Sequence, residues 1–281
     1  MGNGEKYKMY SVALRKPIPT CSFAFNASSW HVHVYNGVYT SHRRQCRCAS
    51  SSTRPSWLNT DLILSARISK AVATIAPQFI DDPVLVYMTN NSSKDQRLPL
   101  LHTVFEFMIT AAVANKGTIY EAADWKSATV MVPPGKDVAN PMTLISSGGL
   151  GFFANLGISG TVKTLYEFPR EIGPHKTRVL GKRPFYYIFI VATVPEGRGR
   201  GLASKIIKQV LAIAQKEQRP AWLEASTEGS KCVYAKLGFK EVGTVVLGKG
   251  KCDATGLPMK GGPGIRLWPM VWEPLKKSQR E

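Results

Sequence analysis

Regular hydrophobic patterning begins near residue 60 and continues to about residue 272. Short apolar runs alternate there with segments whose apolar residues recur every three or four positions, which predicts strands and helices. The apolar run at 185–194 predicts a central strand buried on both faces. At Leu202–Lys216 the stripe formed by Leu202, Ile206 and Val210 predicts a helix lying on a sheet. The order of elements favours a single α/β domain.

The remaining predicted elements follow the same two patterns. In chain order they are a strand at 61–67, a helix at 71–79, a short apolar segment at 84–88, a helix at 98–114, a hairpin at 117–132, helices at 142–153 and 161–168, a strand at 220–226, a helix at 230–237, and strands at 240–247 and Ile265–Trp272. No uninterrupted apolar stretch reaches membrane-spanning length, so we expect no transmembrane helix.

Residues 1–58 differ from the rest in composition. Glu5 is their only acidic residue, and it stands against eight Lys or Arg in a Ser-rich context. This composition is typical of an organelle transit peptide, but Gly2 and Gly4 interrupt the amphipathic helix that such a peptide needs. We therefore expect a disordered extension or a mis-joined reading-frame start at 1–58, a folded domain at 59–275 and a tail at 276–281. A cytoplasmic location is expected, with organelle targeting left open.

The formal net charge of +18 points to nucleic acid, acidic membranes or anionic ligands as partners. The basic residues are scattered, and the longest clusters are Arg43-Arg44 and Lys276-Lys277. No zinc-finger, RNP or homeodomain pattern accompanies them. A multiply phosphorylated ligand and a solvated basic surface are therefore favoured over nucleic acid or a membrane.

The cysteines show no pattern typical of metal binding or disulfides. Their number is odd and their spacing does not fit a metal site, so free thiols in a reducing compartment and no metal are expected. They are Cys21, Cys46, Cys48, Cys232 and Cys252.

A glycine and arginine turn, Pro195-Glu196-Gly197-Arg198-Gly199-Arg200-Gly201, separates the strand at 185–194 from the following helix. This order puts free backbone N–H groups and two guanidinium groups at a helix start, which suits a phosphate. P-loops and dinucleotide folds also carry glycines in such a turn, but no Gly-x-x-x-x-Gly-Lys-Ser/Thr motif occurs. Glu224 is about as far from the glycines as the acidic residue that binds ribose in dinucleotide folds, but the motif that follows Glu224 is not the one those folds have.

A second motif, which follows Glu224, indicates which kind of phosphate-containing ligand the glycine turn binds. Arg198-x-x-Gly201-x-Ala203 is followed by Tyr234-x-x-x-Gly238-Phe239, and the pair resembles the GNAT superfamily of acyl-CoA-dependent N-acetyltransferases. The segment 223–239 is also similar to the puromycin N-acetyltransferases. The resemblance covers about 60–275 and is strongest at 184–245. It implies a mixed, mostly antiparallel sheet with a central, splayed parallel strand pair flanked by helices.

The same resemblance implies acetyl-CoA as the co-substrate and assigns its binding residues. Arg198 and Arg200 would add charge-assisted hydrogen bonds to the pyrophosphate. The backbone amides that would wrap the pyrophosphate are those of Gly199, Gly201, Leu202, Ala203 and Ser204. In the preceding strand, the backbone groups of Val191, Ala192 and Thr193 would bind the pantetheine arm. An Asn common in the family is replaced by Thr227, and Ser226, Thr227 or Ser230 would substitute for its contact.

Tyr234 would stand near the acetyl sulfur, where its hydroxyl donates a proton or a hydrogen bond to the departing thiolate. The alternative is an aromatic ring that only packs on Phe239. Period-two alternation puts Trp222, Glu224 and Ser226 on one strand face. Glu224 is then either a catalytic carboxylate with a raised pKa or the partner of a neighbouring cation. Asp81 and Asp82 would line the acceptor pocket.

The expected function is transfer of an acetyl group from acetyl-CoA to a primary amine of a small molecule, by direct attack in a ternary complex. The alternatives are a protein or histone acetyltransferase, acting on lysine or the N-terminus, and a non-catalytic acyl-CoA sensor. A long insertion before the strand at 185–194 favours a small molecule, and its aromatic residues would form a pocket roof or core: Phe152, Phe153, Tyr166 and Phe168. A monomer or homodimer is expected. The acceptor and the acyl length are not identified.

Overall fold

A computed structural model describes residues 56–89, 93–138 and 140–276. The predicted extension therefore lies almost entirely outside the described residues, and the predicted tail does so beyond residue 276. The helices are, in chain order, α1 (Ser56–Ile75), α2 (Pro83–Met88), α3 (Lys94–Ala114), α4 (Pro141–Ser146), α5 (Gly149–Val162), α6 (Phe168–Leu180), α7 (Leu202–Lys216) and α8 (Glu228–Lys236). The strands are β1 (Thr118–Ala122), β2 (Ser127–Val132), β3 (Tyr186–Thr193), β4 (Ala221–Ala225), β5 (Lys240–Glu241), β6 (Val245–Leu247) and β7 (Ile265–Trp272).

The strands form one mixed sheet in the order β1-β2-β3-β4-β7-β5, with β6 also paired to β7. Every neighbouring pair is antiparallel except β3 and β4, which run parallel. Their parallel ladder covers two positions, Tyr186 opposite Ala221 and Tyr187 opposite Trp222. The fold is thus the predicted mixed sheet with a central parallel pair that separates beyond Tyr187.

Helices cover both faces of this sheet and bury separate parts of it. The apolar stripe of α7 packs on one face together with Ile188, Leu223 and Ala225. On the other face α1 and α3 pack on β1, β2 and the second half of β3. A further cluster joins α2 and α6 to Trp222 and to β6 and β7. These packed layers hold the ends of β3 and β4 in fixed positions.

A β-bulge in β3 changes which face its side chains occupy. Val130 of β2 pairs with Ile190 and the next residue pairs with Ile188, so Phe189 is the extra residue. Tyr186 and Ile188 pack on the α7 side, whereas Phe189 and Ile190 both pack on the α1 and α3 side. The prediction of a strand fully buried on both faces is therefore wrong in part, because buried and half-buried residues alternate along β3.

Two predicted strand segments have a different structure. The segment 61–67 belongs to helix α1, because Ile68, Ala71, Val72 and Ile75 recur at helical spacing and pack against the sheet. The predicted strand at 240–247 is divided into β5 and β6 at residues 242–244. The segment 84–88 forms the short helix α2. The predicted hairpin, α7, β4 and β7 are confirmed with small changes of boundary.

Among the described residues, α3 is the one helix whose length and composition would allow it to cross a membrane. Half of its most apolar window is buried in the protein. Leu101, Phe105 and Ile109 form part of the core beneath the sheet. Core helices of soluble proteins have the same composition, so this feature does not indicate a membrane span by itself.

The insertion between β2 and β3 is a helical segment rather than the two simple helices predicted. Gly157 kinks α5, and a π-helical turn at Lys163–Glu167 joins α5 to α6. Glu167 accepts hydrogen bonds from the Tyr87 hydroxyl and the Gly248 amide, and Lys163 donates to the Tyr87 carbonyl at 2.9 Å. These contacts fix the insertion against α2 and the loop that follows β6.

Candidate active site

The N-terminus of α7 opens at the glycine turn. Gly199 and Gly201 have left-handed backbone angles, with φ of +74° and +70°. A Cβ at either position would meet no atom within 4 Å, so there is free space in front of both glycines. Gly201 is the N-cap and provides no side chain to cap the helix, which leaves the first-turn amides of Leu202, Ala203 and Ser204 available to an anion.

Gly197 anchors this turn to the β1–β2 hairpin, a role that the sequence analysis missed. A Cβ at Gly197 would lie 2.9 Å from the carbonyl oxygen of Lys126. The residue is buried, and its amide donates to the carbonyl of Val194. Only glycine allows such a close backbone approach. Its position in the motif is the only signal that could have identified it.

Arg198 is exposed and already has partners on both sides of the turn. Its Nε donates to the Thr193 carbonyl at 3.3 Å, and its Nη2 donates to Gln78 Oε1 at 3.0 Å. Arg200 is also exposed. The two predicted guanidinium groups therefore flank the open helix start, and Arg198 is held there by a residue distant in sequence.

The edge of β3 next to this turn is open on one side. Val191, Ala192 and Thr193 pair with β2 on their other side. Within residues 140–276, the ladder from β3 to β4 stops after Tyr187. Backbone groups of an extended ligand could pair with this edge as an added strand would. The predicted pantetheine-binding residues and the predicted phosphate turn thus follow one another along a single gap.

Tyr234 lies on the last turn of α8 and packs against the α7 side of the sheet. Its ring centroid is 6.1 Å from that of Phe239. Burial raises the pKa of its hydroxyl above the ordinary value near 10, so the group keeps its proton at physiological pH. Gly238, with φ of +92°, ends α8 against Trp272 and turns Phe239 into the core. The packing on Phe239 expected from the alternative is present, and the catalytic role of Tyr234 stays a prediction.

Thr227 and Ser230 form a capping box at the start of α8. The Ser230 amide donates to Thr227 Oγ1 at 3.1 Å, and the Thr227 amide donates to Ser230 Oγ at 3.3 Å. The hydroxyl groups suggested as replacements for the missing Asn are therefore used in holding the helix start. A cofactor contact from Ser230 stays a prediction.

Glu224 is buried in a polar cluster on the opposite face of β4. Its side chain is 8% exposed and 3.7 Å from Lys176 Nζ of α6. Tyr187 donates its hydroxyl to Oε2 at 2.7 Å, and Trp222 donates Nε1–H to Oε1 at 2.6 Å. These contacts favour the ion-pair alternative, and the catalytic role of Glu224 stays a prediction. Lys176 and Tyr187 were not identified from sequence, because no local motif links them to Glu224.

Asp82 and Ser226 meet at the end of β4. Ser226 Oγ donates to Asp82 Oδ2 at 2.6 Å, while Oδ1 accepts the amides of Val84 and Leu85 at the start of α2. Burial is the main cause that raises the pKa of Asp82. Asp81, in contrast, is exposed and pairs with Lys94. Of the two aspartates predicted to line the acceptor pocket, Asp82 is therefore the one in contact with the end of β4.

The aromatic residues of the insertion serve different purposes. Phe152 stacks on Phe107 of α3 with ring centroids 4.1 Å apart, and Phe153 packs edge-on against the same ring. Tyr166 is 62% exposed. Phe152 and Phe153 are thus core residues of the insertion, which decides between the two roles expected for them.

Comparisons with known proteins agree with this geometry. A family model described as FR47-like protein matches residues 179–246, which contain β3, the glycine turn, α7, β4 and α8. An uncharacterised N-acetyltransferase of Schizosaccharomyces pombe is 27% identical over 172 residues, which is 60% of this chain and 69% of that protein. The crystal structure of arylalkylamine N-acetyltransferase 2 from Aedes aegypti has a TM-score of 0.50 at 18% identity, over 74% of this chain and 95% of that chain.

The resemblance to the GNAT superfamily that the two sequence motifs carry is confirmed by these comparisons. The chain is an acyltransferase of the N-acetyltransferase type, as the two sequence motifs predicted. The central parallel pair, the bulge at Phe189 and the open start of α7 lie within the segment that the family model matches. Glu224 and Ser226 lie at the end of β4, and Asp82 of the α2 N-cap, 144 positions away, contacts Ser226.

Proposed function

We propose that this GNAT protein transfers an acetyl group from acetyl-CoA to a primary amine of a small molecule. The observation that carries the proposal is the open N-terminus of α7 next to the unpaired edge of β3. A long ligand with a phosphorylated end and an amide-containing arm fits such a continuous gap. Acetyl-CoA is a ligand of this kind, and it is the acyl donor of GNAT acetyltransferases.

The residues at the turn fit the pyrophosphate of acetyl-CoA. The free space in front of Gly199 and Gly201 would receive the phosphate oxygens, and a side chain there would fill it. First-turn amides of α7 point along the positive end of the helix dipole. Arg198 would exchange its contact with Gln78 for a charge-assisted hydrogen bond to phosphate. Acetyl-CoA would supply the thioester on which the amine acts.

Acetyl transfer requires a neutral amine that attacks the thioester carbonyl carbon. A carbon–nitrogen bond forms, the carbon–sulfur bond breaks with its electron pair going to sulfur, and the proton that the attacking nitrogen then loses ends on the departing sulfur, which gives the free thiol. Tyr234 would donate a hydrogen bond to that sulfur. Because burial raises the pKa of Tyr234 well above that of a thiol near 8.5, full proton transfer from the phenol is uphill. We therefore assign Tyr234 the role of a hydrogen-bond donor.

The ammonium form of the acceptor must lose a proton before it attacks. We assign Asp82 as the proton acceptor, through the hydroxyl of Ser226 that it already binds. Its raised pKa makes it a better base near neutral pH than an ordinary aspartate. Glu224, which is engaged by Tyr187, Trp222 and Lys176, is less suited to this task.

The acceptor side favours a small amine over a basic peptide. An open acidic surface would attract lysine-rich tails, whereas a small amine needs an enclosed, largely apolar site. Both carboxylates near the end of β4 are buried and have hydrogen-bond donors. Aromatic rings of Tyr187 and Trp222 surround one of them, and the insertion lies beside it.

The test is to incubate the protein with acetyl-CoA and either small primary amines or lysine-rich peptides, following thiol release and product mass. We expect acetylated small amines at rates that exceed those for the peptides. Faster acetylation of peptide lysine or of a peptide N-terminus would replace the proposal with a protein acetyltransferase. Measurable binding of CoA without thiol release from any acceptor would indicate an acyl-CoA sensor.

A further inference from the structure

A cation from the insertion occupies an aromatic and carboxylate box on the acceptor side. The Lys176 ammonium lies 3.7 Å from Glu224 Oε1. It also lies 4.7 Å from the ring centre of Tyr187, 5.6 Å from that of Trp222 and 5.7 Å from that of Phe185. A carboxylate together with aromatic faces at these distances is the usual environment for recognising an alkylammonium group. In this protein the ammonium group inside the box is that of Lys176, a residue of the same chain.

Burial and hydrogen bonds hold the groups of the box in place. Trp222 is fully buried, and its indole N–H has Glu224 as its acceptor. Tyr187 donates to the other carboxylate oxygen, so both hydrogen bonds fix the carboxylate among the rings. The Lys176 side chain is 30% exposed, which leaves the box accessible from solvent. If Lys176 were absent, the box would keep its carboxylate and its rings but lose its cation.

The box lies next to the proposed proton acceptor. Glu224 lies on β4 and Ser226 directly follows that strand, so extended backbone separates the two residues by about 7 Å. Ser226 binds Asp82. A short α,ω-diamine with one nitrogen at Ser226 can therefore bring its second ammonium to the box. Lys176 already holds that place.

We propose that Lys176 is a specificity-determining residue: its ammonium fills the site that the second ammonium of a diamine would otherwise occupy, so the enzyme prefers monoamines to diamines. This inference rests on the proposed function, because it concerns the acceptor of the same reaction. Like-charge repulsion between Lys176 and a diamine opposes binding, and the filled box offers the diamine no compensating carboxylate.

The test compares two acceptors that differ by one ammonium group, pentylamine and 1,5-diaminopentane. The ratio of their kcat/KM values is measured for the wild type and for Lys176→Met, which retains the apolar stem and removes the charge. We expect the ratio to shift toward the diamine by about tenfold. Lys182→Met removes an equal charge at an exposed position next to α6 and should leave the ratio unchanged. Lys176→Arg retains a cation and should keep the monoamine preference.

A ratio within twofold of the wild type in Lys176→Met would overturn the inference. If the wild type acetylates neither amine, the proposed function fails, and the box is then tested by binding alone. Butylammonium chloride should raise the Tm of Lys176→Ala more than that of the wild type, with sodium chloride at equal ionic strength as the control. Equal Tm shifts in both proteins would show that the box does not hold a free alkylammonium ion and would overturn the inference.

Discussion

The two halves of the candidate active site differ in the groups that they offer to a ligand: one offers mainly backbone groups and the other mainly side chains. The proposed cofactor half consists of β3, the turn at 194–201, α7 and α8, and it offers mainly backbone amides and the free space in front of the glycines. The proposed acceptor half consists of α2, the insertion at 141–180, Glu224 of β4 and Ser226, which directly follows β4. It offers side chains that meet across the chain. Backbone binding serves one constant co-substrate, whereas side chains can be changed to select an acceptor.

Apart from the Arg198–Gln78 contact, the side-chain contacts of the two halves also differ in sequence separation. The capping box of α8 joins residues three apart, and the Gly238 turn ends a helix within its own motif. In the acceptor half, Asp82 binds Ser226 across 144 positions, and Tyr187 binds Glu224 across 37. We therefore expect substitutions in the cofactor half to change acetyl-CoA binding, and those in the acceptor half to change turnover or amine preference.

The largest expected effect is in the acceptor half. Asp82→Asn retains the cap on α2 but cannot accept a proton, so kcat should fall about 1,000-fold. Asp81→Asn, at the exposed neighbour paired with Lys94, is the matched control and should leave kcat within twofold of wild type. Steady-state kinetics with saturating acetyl-CoA measure both. An equal loss in the two variants would contradict the role of Asp82.

Asp82 also predicts a pH dependence of stability. Its pKa is raised in the folded protein, so the unfolded chain loses this proton first as pH rises. The stability from the neutral carboxyl is present below about pH 4 and is lost as pH rises toward the folded pKa. Asp82→Asn lacks this loss, so its Tm relative to wild type should increase from pH 4 to pH 7. A relative Tm that stays constant or falls over that range would contradict the raised pKa.

In the cofactor half, Gly201→Val should weaken acetyl-CoA binding about 100-fold, or ~2.7 kcal/mol. The β-branched side chain would fill the phosphate space and strain a position with φ of +70°. Gly250→Val places the same side chain at φ of +78°, also in open space but in the loop that follows β6, and so separates strain from ligand contact. Titration calorimetry with CoA should detect the loss only in Gly201→Val.

Tyr234→Phe should lower kcat about 30-fold, the equivalent of ~2 kcal/mol for a hydrogen bond to a charged group. The KM for acetyl-CoA should change less than threefold, because the ring still packs on Phe239. Tyr120→Phe removes the hydroxyl of another buried tyrosine in the same core cluster and serves as the control. Equal losses of CoA affinity and kcat in Tyr234→Phe would remove its assigned role.

The smallest expected effect concerns Arg198. Arg198→Ala should raise the KM for acetyl-CoA about tenfold with little change in kcat, since one charge-assisted hydrogen bond is lost at an exposed site. Gln78→Ala breaks the contact from Gln78 to Arg198 but keeps the guanidinium, so its KM should stay near that of the wild type. If Gln78→Ala raises KM as much as Arg198→Ala, Arg198 acts by fixing the turn.

The sequence was informative where a local pattern has a local structural cause. The stripe of α7 and the alternation of β4 have such causes, and the position of Gly201 at the helix start follows from the same motif. The predicted strand at 61–67 was wrong because a local apolar run hid the helical spacing that extends to Ile75. The bulge at Phe189 was not predicted because nothing in the local sequence marks its extra residue. Lys176 could not be linked to Glu224 because tertiary packing alone brings α6 to β4.

The most direct test of the account is thiol release from acetyl-CoA, measured as the concentrations of acetyl-CoA and a small primary amine are varied together. Direct attack within a ternary complex predicts intersecting double-reciprocal lines and no release of thiol before amine is added. Parallel lines with a burst of thiol in the absence of amine would mean that the protein itself is acetylated first. Binding of CoA without thiol release for any amine would contradict the account altogether.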